Sequence, residues 1–395
     1  MMKNDAANRV RKEETMKFLH ISDLHLGKRV NEFPMIEDQK YILKQILSIA
    51  DKERAEAALL AGDLYDKPVP SAEAVQVFDW FLTELADRKI TVFAVSGNHD
   101  SAERIAFGAR LMSGRGVYVS PVYDGTAARI TLTDAYGELS VWLLPFLKPA
   151  IARHAFLGEP DLHLPESYQE AVELAIRRMD VDPKQRNILV AHQFVTGAGR
   201  CDSEEVMVGG LDNVDAEVFD VFDYVALGHI HSPQFIGRET VRYCGTPLKY
   251  SFSEAEQEKS VTIIEMKEKG RVELHTVPLV PLRDFRILRG TYEEVMSKNF
   301  YQDMDTEDYV KIILTDEEDV PDGIRRLRVI YPNLTRLEYD NSRTRESRMV
   351  EAAEDVEQRS PIALFEEFYE LQNNQPMNKA QKEYVTRLME DIQEG

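Results

Sequence analysis

Apolar residues in the first two thirds of the chain come in short runs that stop abruptly at polar motifs. Phe18-Leu19-His20-Ile21 leads into Ser22-Asp23-Leu24-His25, and Ala57-Ala58-Leu59-Leu60-Ala61 into Gly62-Asp63. Residues 90–95 lead into Ser96-Gly97-Asn98-His99-Asp100, residues 188–191 into His192, and residues 224–227 into Gly228-His229-Ile230-His231. Unbroken runs of this length, rich in Val, Ile and Leu, predict strands buried on both faces. Between them the period lengthens. Ile42, Leu43, Ile46, Leu47 and Ile49 predict a helix through residues 36–54; Val75, Phe78, Phe81, Leu82 and Leu85 predict another through 71–87. Strands alternating with helices predict an α/β fold. In such sheets ligands gather outside the carboxyl ends of the strands, and all five polar motifs sit there.

Asp23, His25, Asp63, Asn98, His192, His229 and His231 are oxygen and nitrogen donors with no thiolate among them. That set suits Mn²⁺, Fe²⁺ or Zn²⁺ better than Ca²⁺. Asp23-x-His25 and His229-x-His231 place two donors on one side of an extended strand. Asp63 has two oxygens and can bridge two ions. Two divalent ions, two carboxylates and a bridging hydroxide leave a net charge of about +1, which attracts a phosphate. Gly62-Asp63 or Gly97-Asn98 alone reads as a turn; the ordered set at strand ends points to one metal site. His20, inside an apolar run, reads as a core histidine, and His154, His163 and His275 as surface residues.

Composition narrows the class. The chain has 395 residues, of which 43% are hydrophobic and 30% charged, as expected for a folded protein of two or three units. No run approaches the roughly 18 apolar residues of a membrane span. Residues 1–15 lack a signal-peptide core and read as a disordered extension before a natural start at Met16. Cys201 and Cys244, lone and distant, fit a reducing cytoplasm. The net charge of −21 weighs against broad nucleic-acid binding, without excluding a local groove.

Asp-x-His, Gly-Asp, Gly-Asn-His-Asp, His and Gly-His-x-His in this order resemble the calcineurin-like metallophosphoesterases. The resemblance implies a β-sandwich flanked by helices, with two metals at one rim. By that resemblance Asp23, His25, Asp63 and His231 hold the first metal, and Asp63, Asn98, His192 and His229 the second. His99 is then the catalytic histidine that binds no metal, and Asp100 the carboxylate that orients it. Residues 18–28, Gly62-Asp63-Leu64-Tyr65-Asp66, Ser96–Ser101 as a block, residues 228–233 and residues 245–253 are more specifically similar to the SbcD nuclease family. That likeness implies Mn²⁺-dependent exonuclease and single-strand endonuclease action on DNA ends or hairpins. It also implies an SbcC-type coiled-coil ATPase partner and a homodimer through residues 71–87 and 101–113, although Ile105, Phe107, Leu111 and Met112 there fit a domain core equally well. Some relatives carry a histidine where Asp66 stands. A small-molecule phosphoesterase, such as a nucleotidase or cyclic-nucleotide phosphodiesterase, is the alternative; a decayed adaptor would not retain the full donor set.

The nuclease domain is expected over 16–280, ending in paired strands at 261–264 and 271–274 and at Pro278 and Pro281. A small α+β capping domain follows over 281–340, with a strand at Tyr309–Leu314 and a helix at 321–330. Its Arg283, Arg286, Arg289, Arg325, Arg326 and Arg328 read equally as a phosphate-contacting face or a solvated one. Residues 341–360 are a charged linker. In the tail, 361–395, Leu364, Phe365, Phe368 and Leu371 form one helical stripe, and Ala380, Tyr384, Leu388 and Ile392 a second; both suit docking to the ATPase.

Overall fold

The computed structural model describes residues 15–342 except 160–161 and 205–212, together with positions 344, 365, 369, 377, 379, 381, 382, 384 and 385. The expected extension up to residue 14, most of the linker and most of the tail lie outside the described residues.

Two six-stranded sheets form the body. In the first, β1 (Lys17–Ile21), β2 (Ala57–Ala61), β3 (Thr91–Val95) and β4 (Val117–Val119) run parallel, and a hairpin of Ser260–Met266 and Val272–Pro278 pairs antiparallel beside β1. In the second, Gly137–Leu144, β5 (Arg186–His192), β6 (Tyr224–Gly228) and Arg238–Tyr243 are parallel neighbours, with antiparallel strands at both edges. Phe18, Leu59, Phe93, Val141, Ile188, Val190 and Tyr224 meet between the sheets. Leu19, Leu60 and Val92 face the other way, toward the helices. Both faces of each central strand are therefore buried, which is why the runs do not alternate. Each fully buried large side chain contributes about 1.5–3 kcal/mol of transfer free energy.

Helix α1 (Ile36–Glu53) packs Ile42, Leu43, Ile46, Leu47 and Ile49 against the first sheet. It stops at Arg54, whose left-handed backbone (φ 57°) turns its N–H back to the carbonyls of Ala50 and Asp51. Helix α2 (Ala72–Asp87) starts at Ser71, whose hydroxyl caps the Ala74 N–H. Its buried face is Ala74, Val77, Phe78, Phe81 and Leu85, whereas Val75 is 43% exposed. The apolar pattern alone places Val75 inward; the helix is rotated so that Val77 takes that role. Helix α3 (Tyr168–Arg178) covers the outer face of the second sheet.

Beyond the body, Phe285–Gly290, Tyr309–Leu314 and Leu334–Tyr339 form a separate parallel sheet with its own core of Leu288, Val310, Ile312, Leu327 and Tyr331. The helix expected over 321–330 is only Gly323–Leu327. Asp322 is left-handed (φ 55°), so the helix starts after it, and residues 328–330 continue only as turns, with Val329 and Ile330 bonded three residues back. This sheet is tied to the body at the buried Asp38, which accepts from Arg283 at 3.1 and 2.8 Å and from the Tyr309 hydroxyl at 3.0 Å. The arginines are largely spoken for. Arg283 pairs with Asp38, Arg286 with Asp308, Arg289 with Asp340 and Arg325 with Asp322. Arg328 binds a carbonyl, which leaves Arg326 as the exposed member without an ion pair among the described residues.

Candidate metal centre

The chain leaves β1, β2, β3, β5 and β6 at one rim of the sandwich, where the expected donors converge. Asp23, His25 and His231 bring ligand atoms within 4.8 Å of one another, as do Asp23, Asp63 and His192. The Nε2 atoms of His25 and His231 lie 3.1 Å apart. On the other side, Asn98 Oδ1 is 2.9 Å from His192 Nε2 and 2.9 Å from His229 Nδ1. Asp63 lies between the two groups: its Oδ2 is 3.7 Å from His25 Nε2 and 3.4 Å from His192 Nε2.

The backbone is bent to achieve this. Asp23 (φ 53°), His25 (φ 44°), Asp63 (φ 48°) and His229 (φ 104°) all have left-handed dihedrals, a costly state for residues with a Cβ that concentrates at functional sites. Two glycines permit the approach. A Cβ on Gly97 would stand 2.1 Å from Asp63 Oδ1, and one on Gly228 would stand 1.8 Å from the Ala61 carbonyl oxygen. Gly228 thereby lets the rims of the two sheets touch.

The donor set fits divalent ions. His192 Nδ1 donates to the Ala61 carbonyl at 2.8 Å, which leaves Nε2 facing the acceptors Asn98 Oδ1 and Asp63 Oδ2. Ser203 donates to Glu254 and accepts from His231 Nδ1–H at 2.6 Å, so His231 Nε2 turns a lone pair toward His25 Nε2. Converging lone pairs repel unless a cation lies between them. Burial holds His25 and His231 well below the usual histidine range and His229 down at about 3, so these rings are neutral. Burial acts likewise on His192, but the Asp63 charge outweighs it and raises that ring to about 9. Burial pushes Asp63 up, yet His192 and then His25 overcome it and hold the carboxyl low. The Asp63–His192 pair thus demands a positive charge at the spot where a metal would supply one.

His99 is part-buried. Its Nδ1 lies 3.1 Å from the Asp66 carbonyl, and its Nε2 is 4.0 Å from Asp63. The expectation that Asp100 orients this ring needs correction. The Asp100 carboxylate instead accepts from the N–H groups of Leu64 (3.0 Å), Tyr65 (2.9 Å) and Gly97 (2.9 Å), and so clamps the loop bearing Asp63 to the loop bearing Asn98. Burial and the nearby Asp63 charge raise the Asp100 carboxyl to about 6. The Asp66 side chain is ion-paired to Lys28 at 2.9 Å. His20 is a satisfied core residue, bonded to the Tyr224 hydroxyl (2.9 Å) and the Leu227 carbonyl (3.2 Å). His154, His163 and His275 are exposed.

Sequence reasoning missed the groups that support His231. Glu254, fully buried, pairs with Lys259 at 2.6 Å, and Lys259 also donates to the His231 carbonyl at 2.8 Å. Glu204 accepts from the His231 N–H at 2.7 Å. Within Gly245–Ser253 and just beyond, nothing local marks Glu254 as buried. Lys259→Met strands a buried carboxylate, which is expected to cost about 3–5 kcal/mol. Thermal melting should fall by several degrees, and adding Glu254→Gln should restore most of the loss; an unchanged melt would contradict the pairing.

A calcineurin-like phosphoesterase family model matches residues 16–233. The SbcD C-terminal model, described as the type 5 capsule protein repressor C-terminal domain, matches residues 281–373. The SbcD subunit of the nuclease SbcCD from Staphylococcus epidermidis is 30% identical over 384 residues, which is 95% of this chain and 99% of that protein. The chain belongs to the SbcD family. Like its family, this SbcD chain is a metal-dependent hydrolase of the nuclease class, built on the calcineurin-like phosphoesterase fold. Among solved structures, TT1561 of Thermus thermophilus is 16% identical with a TM-score of 0.38, covering 66% of this chain and 99% of that one. A dimetal phosphatase from Danio rerio is 12% identical with a TM-score of 0.40, covering 68% and 99%.

Proposed function

We propose that this SbcD-family protein is a two-metal DNA nuclease that cuts phosphodiester bonds at DNA ends or hairpins, as an exonuclease and single-strand endonuclease, together with an SbcC-type ATPase. The observation that carries the reading is Asp63, placed between two separate groups of donors. In this reading Asp23, His25, Asp63 and His231 would hold one ion, and Asp63, Asn98, His192 and His229 the other; of Mn²⁺, Fe²⁺ and Zn²⁺, which the mixed imidazole and carboxylate set admits, the SbcD likeness favours Mn²⁺. Two ions held there would supply an activated water and charge neutralisation at the phosphate for an in-line displacement. The Asp66 carbonyl fixes the proton of His99 on Nδ1 in the neutral ring, and a second proton on Nε2 would be given to the leaving oxygen. Asp100 acts on the reaction only through the two loops it clamps.

Purified full-length protein with Mn²⁺ should hydrolyse single-stranded DNA and open hairpins. Hydrolysis of nucleotides or cyclic nucleotides with DNA left intact would establish the small-molecule alternative instead.

The body spans 16–280 and the cap 281–340 in this proposal, with a linker at 341–360 and a docking tail at 361–395. Free, buried Cys201 and Cys244 suit a cytoplasmic setting, and no helix among the described residues is long and apolar enough to cross a membrane. Phe107 and Leu111 are 85% and 84% exposed, whereas Ile105 is buried. This pair supports a homodimer through residues 101–113. Phe107→Glu with Leu111→Glu should convert a dimer to a monomer in sedimentation; a wild-type chain that sediments as a monomer would refute the dimer. Deleting 361–395 should abolish co-purification with the ATPase and spare Mn²⁺-dependent hydrolysis of single-stranded DNA. Undiminished co-purification would rule out the tail as the docking element.

A further inference from the structure

A cleft of about 690 Å³ opens beside the metal centre, at the end of β3 and beyond. It falls in the ~300–1,000 Å³ range of sites that take a small organic group. Asn98, which touches both His192 and His229, forms part of its wall, so the cleft is continuous with the catalytic rim. Its other walls are mostly apolar: Val122, Tyr123, Phe146, Ile151 and Ala155. Phe146 joins cleft to centre. Its ring lies near-parallel to His229 (6.1 Å between centroids, 16°) and edge-on to His192 (6.0 Å, 83°). Lys148 Nζ sits 5.9 Å from the Phe146 centroid and makes no ion pair with a carboxylate among the described residues.

The charges around the cleft are mixed. Asp100 is held by three N–H groups. Glu103 accepts from Ser101, and Asp124 from Thr126. His154 is exposed at the mouth. The acids accept from their own loops and keep their charge, and Lys148 is the one lysine or arginine among the lining residues that can meet an anion. An apolar slot with one aromatic wall and one lysine, opening directly off a phosphoesterase centre, matches a nucleoside with its next phosphate. Aromatic walls hold unpaired bases in this way, whereas a paired base keeps its faces inside the stack.

Resting on the nuclease reading above, we propose that this cleft receives the unpaired nucleoside beside the scissile phosphate, with its base against Phe146 and its neighbouring phosphate on Lys148. The cleft would then favour single-stranded or frayed DNA over closed duplex.

The test uses full-length protein, Mn²⁺ and single-stranded oligonucleotides carrying one abasic site at each position around the cut in turn. Stacking of one base makes the expected loss at one flanking position about fivefold or more in kcat/KM. Ile151→Trp, which fills the cleft from a position 37% exposed at its edge, should abolish the difference between intact and abasic substrates. Lys148→Ala should raise KM for DNA and lower the salt slope of binding by about 0.7. Turnover of bis(p-nitrophenyl) phosphate is measured in parallel to report the metal centre. Equal cleavage of abasic and intact strands by the wild-type chain would overturn the cleft assignment and leave the nuclease reading standing. Turnover of the small diester without cleavage of any DNA would overturn both.

Discussion

Asp63→Asn is expected to cost both metal positions and to reduce hydrolysis by about 10³-fold or more. The side chain contacts both donor groups, with its Oδ2 3.7 Å from His25 and 3.4 Å from His192. The amide is close to isosteric, so the loss is one of charge and of an oxygen able to bind a second ion. Metal assistance of this kind supplies several kcal/mol to the transition state, and each ~1.4 kcal/mol is a factor of ten in rate. A folding effect is separable. Asp63 Oδ1 also accepts from the His99 N–H at 2.9 Å, a bond the amide oxygen can keep, but the amide removes the charge that raises His192 to about 9, so the apo protein should stay folded and melt below the wild-type temperature. Metal content by elemental analysis, the melt and the rate are the three measurements. Two tightly held ions in the variant would refute the bridging role.

His99→Ala should separate chemistry from metal binding. Its Nδ1 is committed to the Asp66 carbonyl, and its Nε2 stands 4.0 Å from Asp63, beyond the distances among Asn98, His192 and His229. In the proposed reading this group moves a proton and does not hold an ion. The expected loss is about 10²–10⁴-fold in turnover with metal content unchanged. The leaving group provides the sharper test. A diester with a good leaving group needs little protonation, so the variant should recover more activity on bis(p-nitrophenyl) phosphate than on DNA. Parallel loss of metal and activity would make His99 a ligand, consistent with its lying in one donor cluster with His25 and Asp63.

Asp100→Asn should act differently from either. The three N–H groups it accepts come from two loops, and an amide oxygen can serve only part of them. Its effect should therefore appear as weaker metal binding and lower stability together, with no change in leaving-group dependence.

Local periodicity reports which strands are buried on both faces, because each position contributes to one layer or the other. That is why the runs ending at Asp23, Asp63, Asn98, His192 and His229 were legible one residue after another. The donor types were legible too, since lone-pair chemistry belongs to the side chain and not to its surroundings. The sequence by itself therefore determined the strands of the two sheets that carry the site and the seven side chains that converge at their ends.

What it left open depends on contacts between distant segments. Whether Asp100 meets an imidazole or three backbone donors is decided by the packing of residues 62–66 on 97–100. Whether His231 is held by Glu254 and Lys259 depends on a loop that returns to it from the next part of the chain. Four of the six capping arginines, Arg283, Arg286, Arg289 and Arg325, gain a carboxylate partner only in the folded chain. Val75 and Val77 exchange roles because the rotation of α2 is set by the sheet beneath it. The cleft along Phe146 exists only where the rim of one sheet meets a loop from the other. Side-chain type is a local property; hydrogen-bond partner, ion pair and void are properties of two surfaces brought together, and tertiary packing alone decided them.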